Sequence, residues 1–504
     1  MQETRNTKLI VKNSILLFIR QFLVLILSFF ITRVTLQMLG EEDYGINDIV
    51  SGIIVIFAII TMPLSSTLQR FFNVEFAKKD ICSNKVFNTA FIIVIMVTIV
   101  MILLYETIGL FIIKNIVNIP YERKAVVGII YQIVVVTNIL MFLIIPFQSF
   151  LISRESMSFI AIMDICLSLY RLAMLFIIPI IKIDRLISYS IIMLSGYLLL
   201  ELCYVIYCNH QYPETHLSKI IDKSLFKRIL SFSGWNLIES TAGIGITYGS
   251  NFIINIFGGV LFNTVYGLTK QLSSAILTFT TNIIKAVEPQ ITSANTLHDN
   301  LYRDKLVITT IKYTLLLTGY IYVIMYYDGD LLLNVWLKKV PNMLYEFINV
   351  SMITMVFSCV VLPLRTLILA TGSIKGYFVG YGLFSSCSLI VSYYLLYFKY
   401  PIITIMYVLC IFQFIILLWA LYIVKKHTDF LITPLLKQVS LVLAVIILTF
   451  IIYGICHQFF INSYSKFAFA LFVSLIFISV ITIFLLLTRY QRTKILKIIK
   501  YIYE

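Results

Sequence analysis

Roughly fourteen long apolar runs recur from one end of this 504-residue chain to the other, and no soluble fold of this size can bury them all. They occupy 13–37, 48–73, 87–113, 125–150, 158–180, 185–208, 232–257, 262–290, 306–327, 344–371, 376–398, 402–424, 434–455 and 465–488. A helix needs about 20 apolar residues to cross the hydrocarbon core of a bilayer, and each run reaches or approaches that length. Barrel strands would instead alternate in segments of about ten residues. These runs are continuous, so they predict helices, which satisfy their own backbone hydrogen bonds in lipid. Only 12% of the residues are charged, against about 25% in soluble domains. A solvated surface of ordinary size cannot be built, and the chain reads as one membrane domain.

The formal net charge is +15, from 39 Lys and Arg against 24 Asp and Glu. In a soluble protein that balance would point to nucleic acid. Here the cations concentrate in every second loop, as cytoplasmic loops require, with about 21 on predicted inner segments and about 8 on outer ones. The inner set includes Lys78, Lys79, Lys85, Lys219, Lys223, Lys227, Arg228, Lys425 and Lys426, and the tail adds Arg489, Arg492, Lys494, Lys497 and Lys500. Both termini are therefore expected in the cytoplasm of a multi-pass plasma (inner) membrane protein, and no nucleic-acid partner is expected. The run after the basic segment Met1–Ser14 is too long for a signal-peptide core and is expected to remain as the first span. The eight cysteines lie mostly inside apolar runs and form no Cys-x-x-Cys pair. No metal, disulfide or cofactor is assigned to them.

The fold class expected is an all-α polytopic membrane protein of about fourteen helices: two pseudo-symmetric six-helix bundles plus two C-terminal helices. The bundles are 1–208 and 232–424, joined by a basic linker at 209–231, and 425–504 supplies the two added helices and a basic tail. Each half opens alike. A span ends in Leu39-Gly40 or Phe257-Gly258-Gly259, an outer turn follows with Tyr44-Gly45 or Tyr266-Gly267, and a long span comes next.

Ionisable residues inside spans are costly unless paired or wetted, so their alignment is informative. In span eight Asn263, Lys270, Ser274, Thr281, Lys285 and Glu288 follow one another at intervals of seven, four, seven, four and three. At about 100° per residue they share one face. That face is expected to meet an aqueous cavity, with snorkelling to the inner interface as the alternative for Lys285. Span seven holds Asn236, Glu239, Ser240, Thr241, Thr247 and Asn251. Glu239 and Arg20 of span one occupy equivalent depths in the two halves, and a pair between them is one possible arrangement. Span two ends with Ser66, Gln69, Arg70 and Asn73; span five aligns Asp164, Ser168 and Arg171; span ten aligns Ser351, Thr354, Ser358 and Arg365. An intrahelical ion pair is the alternative for Asp164 and Arg171. Arg33, Glu106 and Glu201 are read as interfacial anchors. The cations Arg20, Arg70, Arg171, Lys270, Lys285 and Arg365 outnumber the carboxylates Glu239, Glu288 and Asp164. A cavity with that bias suits an anion, because guanidinium groups hold phosphate bidentately and lysine holds it as a point charge.

Thr35-Leu-Gln-Met-Leu-Gly40, followed by Glu41-Glu-Asp-Tyr-Gly-Ile46, resembles the signature of bacterial polysaccharide flippases, the Wzx-type exporters of O-antigen or capsule repeat units. Pro63-Leu64-Ser65 and Gln69-Arg70-Phe71-Phe72 resemble the end of their second span. The resemblance implies a member of the superfamily that also contains the multidrug extruders (MATE) and the lipid II flippase, with helices one, two, seven and eight lining a central cavity. It implies an undecaprenyl-diphosphate-linked glycan as cargo and the bilayer as its medium. It also implies a polysaccharide polymerase and chain-length proteins as neighbours. Two extra C-terminal spans occur in some branches and are expected to offer a groove for the lipid. The family supplies no fixed substrate residues, so the site rests on the stripes. With no Gly-x-x-x-x-Gly-Lys-Ser/Thr loop present, Na+ or H+ is the expected driving ion, with Glu239, Glu288 and Asp164 as coupling candidates.

Two other readings stand beside this one. A drug extruder of the same fold should have an acidic or aromatic cavity. A polytopic glycosyltransferase or polymerase needs a sizeable outer segment with acidic groups. The one candidate for that, Asp328-Gly329-Asp330, reads as a turn with two solvated aspartates. The chain is therefore not expected to be an enzyme.

Overall fold

The computed structural model describes residues 23–57, 64–65, 67–69, 71–72, 83–154, 156–218, 222–371, 374–458 and 463–481. Among them the secondary structure is helical throughout. Ten helices are long and apolar enough to cross a membrane, or eleven with the pair Leu23–Leu39 and Glu41–Ile54, which bends by 119°. The all-α membrane architecture expected from the apolar runs is what the chain adopts.

In order, the helices are α1 (Leu23–Leu39), α2 (Glu41–Phe57), α3 (Ser83–Leu104), α4 (Lys124–Leu143), α5 (Ile145–Ser153), α6 (Met157–Leu175), α7 (Arg185–Gln211) and α8 (Lys223–Thr296). Then come α9 (Asn300–Leu337), α10 (Leu344–Thr371), α11 (Ile374–Tyr397), α12 (Thr404–His427), α13 (Ile432–Cys456) and α14 (Ser463–Ile481). Side-chain caps explain several starts. Asp184 accepts from the amides of Leu186 and Ile187 to open α7. Asp222 does the same for Ser224 and Leu225 at α8, and Asp299 for Tyr302 at α9. Each cap satisfies amides that a helix N-terminus leaves unpaired.

The turn expected over 41–47 is instead the first two turns of α2. Gly40 takes φ +84° and ends α1, and Glu41, Glu42 and Asp43 then occupy the first turn of α2. Acidic groups there complement the positive end of the helix dipole, so the segment continues as helix. The second expected break falls where Phe257-Gly258-Gly259 placed it. Gly259 takes φ +72° inside α8 and divides it into two arms.

By internal contacts the chain forms two compact units. The first comprises Met1–Leu268 with Ser385–Ile405, the second Thr269–Phe384 with Met406–Glu504. The core of the first is built on α2 to α7. Phe72, Phe87, Phe147 and Phe150 interlock in it edge to face, with Phe87 and Phe147 centroids 5.2 Å apart. Beyond Leu104, α3 continues through one π-helical turn, Tyr105–Gly109, and on to Asn115; the turn wraps the Tyr131 hydroxyl, which donates to the Tyr105 carbonyl at 2.7 Å. The start of the expected linker is strapped to this unit. Asn84 of α3 donates to the carbonyls of Glu214 and His216, the Ser218 amide donates to Asn88, and Arg154 pairs with Glu214.

In the second unit α9 packs on α10 and α13, and α13 on α14. Gly319 and Gly454 make the α9–α13 contact close: added Cβ atoms would strike Ile446 and the Tyr327 hydroxyl. The Asp328-Gly329-Asp330 turn expected from sequence is corrected here. All three residues lie within α9, Asp328 is buried and only Asp330 is exposed. Apolar and aromatic runs on both sides carry the helix through Gly329, which packs against the Tyr345 ring.

Candidate functional site

Among the described residues of the first unit, a dense polar arrangement surrounds the break in α8. Asn251 of the first arm donates its Nδ2 to Asp48 Oδ2 of α2 at 2.8 Å. Asn263 of the second arm donates to Asn251 Oδ1 at 2.5 Å and to the Asn251 carbonyl at 2.9 Å. Asn255 donates to Asn263 Oδ1 at 2.8 Å and accepts from the Asn118 amide, also at 2.8 Å. Asn251, Asn255 and Asn263 are all buried. In a lipid-embedded fold, polar groups around a helix break need internal partners, and this ladder supplies them. It also ties α2, both arms of α8 and the loop after α3 into one block.

Small residues let these helices approach. A Cβ on Gly45 would strike the Val260 carbonyl, and one on Gly267 would lie 2.9 Å from the Asp48 carboxylate. Thr264 Oγ1 fills the adjacent gap, donating to the Glu41 carbonyl at 2.5 Å. The repeated Tyr-Gly pairs are thus reciprocal contact points: Gly45 meets the second arm of α8, and Gly267 meets α2. The second side of α2 is fixed by charge. Arg123 donates Nε to Asp43 Oδ1 at 2.8 Å, pairs through Nη2 with Asp43 Oδ2, and reaches Asp184 Oδ2 with Nη1 at 2.5 Å. Burial alone would raise the Asp184 carboxyl. The Arg123 hydrogen bond and charge, with the Ile187 and Leu186 amides, outweigh it and hold the group below its ordinary value.

In the second unit, the second arm of α8 carries the polar stripe expected for span eight. Lys270 is half-buried, Ser274 and Lys285 are exposed, and Thr281 and Glu288 are intermediate. The opposite face, with Ala275, Ile276, Thr280, Ile284 and Ile291, is buried. Ser274, Thr278 and Thr281 donate back to carbonyls of their own helix, a habit of hydroxyls in apolar helices. Lys270 and Lys285 are about 22 Å apart along the axis at 1.5 Å per residue. Next to the stripe, Ser273 shares a 2.6 Å hydrogen bond with Ser351 of α10. Arg365, lower on α10, places its guanidinium 5.8 Å from the centre of the Phe378 ring.

Of the other expected site residues, Arg171 in the first unit lies over the Tyr197 ring, 4.8 Å from its centroid, and its Nε is buried without a hydrogen-bond partner. A cation–π contact of this kind is worth about 0.5–2 kcal/mol. Asp164 lies two turns before it on α6, where its carbonyl accepts from Ser168. Arg20 and Arg70 lie outside the described residues, as does the side chain of Glu239. Glu201, read as an interfacial anchor, sits about 15 Å from the end of α7, with Oε2 buried and without a hydrogen-bond partner. Among the described residues no group of three His, Cys, Asp or Glu is placed to hold a metal.

Sequence reasoning missed Asp43, Asp48, Arg123 and Lys312. Asp43 was hidden by the turn assignment and Asp48 was passed over as the first residue of the expected second span, although a carboxylate one helical turn after Tyr44 was a visible signal. Lys312 is a single cation in the apolar run 306–327. It is buried on α9, with its ammonium 4.9 Å from the Tyr313 ring centre.

No protein-family model and no curated protein sequence matches the chain. Solved structures do. It is similar to the lipid II flippase MurJ in its inward closed conformation, with TM-score 0.72 and 15% identity over 95% of this chain and 100% of that one. It is also similar to an inward-facing multidrug resistance MATE family transporter of the MOP superfamily, with TM-score 0.66 and 11% identity over 82% and 95% of the two chains. A third likeness is to the MATE multidrug transporter DinF-BH, with TM-score 0.58 and 12% identity over 83% and 95%. At these identities the likeness establishes a shared fold.

Proposed function

We propose that the chain is a transporter that flips a polyprenyl-diphosphate-linked oligosaccharide across the membrane by alternating access. The observation that carries this reading is the polar face of the second α8 arm. A helix in the middle of an apolar chain leaves Ser274 and Lys285 exposed and Lys270 half-buried on one face while burying its other face. Such a face is costly against lipid and is favourable against water and an anionic cargo. Arg20, Arg70, Arg171 and Arg365 are the further cations assigned to the diphosphate, and Asp164, Glu239 and Glu288 are the carboxylates assigned to coupling with Na+ or H+.

Coverage supports a flippase over a drug extruder. The lipid II flippase matches 95% of the chain, whereas the MATE transporters leave nearly a fifth of it unmatched. A lipid-linked cargo needs a charged path for its head beside an apolar surface for its tail, and added C-terminal helices provide more of the latter. In this reading the Asp48–Asn251–Asn263 ladder and the Gly45 and Gly267 contacts hold the helices beyond Gly40 and Gly259 together while the opposite end admits the cargo. The protein operates in the plasma membrane with both basic ends in the cytoplasm.

The test is transfer of a fluorescent undecaprenyl-diphosphate-linked oligosaccharide between leaflets in proteoliposomes containing the full chain. Arg20→Ala/Arg171→Ala/Lys270→Ala is expected to abolish transfer while the protein still inserts. Wild-type transfer by that triple variant would show that these groups do not carry the cargo. Transport of a hydrophobic organic cation, with no transfer of the lipid-linked glycan, would favour the extruder.

A further inference from the structure

A second titratable cluster lies away from every residue assigned above. Asp328 is 4% exposed inside α9, where an uncompensated carboxylate would be strongly unfavourable. Both of its oxygens have partners on the neighbouring α13 side. Tyr453, fully buried, donates its hydroxyl to Oδ2 at 2.6 Å, and His457, one residue past the end of α13, brings Nε2 to 3.1 Å from Oδ1. The His457 side chain keeps 28% of its exposure, so one edge of this buried group meets the surroundings. An imidazole is the side chain that gains and loses charge between about pH 5 and pH 8.

The rest of the contact is apolar and aromatic. Tyr327 stacks on Tyr453 at 5.5 Å and lies 5.9 Å from the His457 ring, and Phe450 packs on Tyr326 and Tyr327. Cys456, Ala470 and Val473 bring α14 against the same patch. The other titratable or charged groups these helices carry at this end are Tyr320, Tyr322, Tyr326, Tyr327 and Asp330 on α9, Tyr345 and Glu346 on α10, Cys456 on α13 and Lys466 on α14. Asp330 and Glu346 are exposed, and Tyr345 donates to the Tyr326 carbonyl. In the geometry described, His457 is the cationic partner that reaches Asp328.

We propose that Asp328, Tyr453 and His457 form a proton-binding site whose occupancy sets how firmly α13, and α14 with it, is held to α9. With the imidazole charged, the contact is an ion pair to a buried carboxylate that also accepts from Tyr453. With the imidazole neutral, only one tautomer donates to Asp328, and the carboxylate loses its compensating charge. Protonating His457 therefore tightens the α9–α13 contact. The site is independent of what the transporter carries, so it stands or falls apart from the flippase reading.

The experiment uses the full chain in lipid nanodiscs. Hydrogen exchange along α13 and the unfolding midpoint are followed from about pH 8 to about pH 5, the range in which an imidazole titrates. The wild type is expected to show slower exchange in α13, after correction for the intrinsic rate, and a higher midpoint as the pH falls. His457→Gln keeps the Tyr453 bond to Asp328 and should lose both trends. It carries the test wherever Asp328→Asn fails to fold. Tyr453→Phe should lower the midpoint at every pH while keeping the trend. A His457→Gln variant with the wild-type pH response would overturn the proposal. So would stabilisation by sodium at constant pH that Asp328→Asn abolishes, which would give the site to a metal cation.

Discussion

Asn251 and Asp48, 203 residues apart in sequence, meet through a 2.8 Å hydrogen bond that joins α2 to the first arm of α8. Asn251 is also the acceptor for Asn263, so one amide serves both neighbours. Asn251→Ala should therefore cost more than a single exposed hydrogen bond, about 1–3 kcal/mol for polar groups left without a partner. A double-mutant cycle of Asp48→Asn with Asn251→Ala, read by thermal unfolding of the full chain, should show coupling. Simple additivity would mean that the bond carries no weight in the fold.

Gly45 is predicted to tolerate no side chain. The atom in the way is the Val260 carbonyl, a backbone group that cannot rotate aside. Overpacking typically costs about 1–3 kcal/mol, and Gly45→Val should exceed Gly45→Ala. Gly128, with nothing within 4 Å of an added Cβ, is the control. Equal unfolding midpoints for Gly45→Ala and Gly128→Ala would contradict the close approach.

Asp184, at one end of the Arg123 bridge, predicts an acid-side loss of stability. Asp184 is held below its ordinary value in the folded state. Its contribution is therefore complete above the unfolded value, about 3.9, and is lost as the pH falls through the folded one. Asp184→Asn should lower the midpoint near neutral pH and flatten its fall below about pH 4. An unchanged acid limb would show that the bridge does not set it.

Lys270 and Lys285 should separate by role. Lys270 is half-buried on the stripe, and losing a charge-assisted contact of about 1.5–3 kcal/mol would weaken diphosphate binding by roughly ten- to a hundredfold. Lys285 is exposed nearer the helix end. If it binds cargo, Lys285→Ala lowers transfer as Lys270→Ala does; unaltered transfer would assign it to the interface. Proteoliposome transfer at varied ionic strength distinguishes them.

The all-helical membrane fold was legible because apolar length alone specifies spanning helices. The glycine breaks at 40 and 259 were legible for the same kind of reason, since a left-handed backbone favours glycine. Asn251 and Asn263 were visible as polar residues inside apolar runs, but their partner was not. Asp48 sits after Glu-Glu-Asp, a string that reads as a solvated turn until helix-dipole compensation is weighed. Asp328 was hidden in the same way by Asp-Gly-Asp. Its partners lie 125 and 129 residues downstream, a distance over which single-sequence periodicity carries no information. The Tyr-Gly repeats were noticed as symmetry, and their reason, two helices in backbone contact, required coordinates.

The proposal on which the functional reading depends is that Arg20, Arg171 and Lys270 each meet water and the diphosphate cargo. Single cysteines at these three positions, in a full chain whose eight native cysteines are replaced by serine or alanine, can be probed with a membrane-impermeant thiol reagent in proteoliposomes. All three should be modified, and added undecaprenyl-diphosphate-linked oligosaccharide should protect all three. Modification that the lipid-linked substrate leaves unchanged, or positions that never react, would contradict the account.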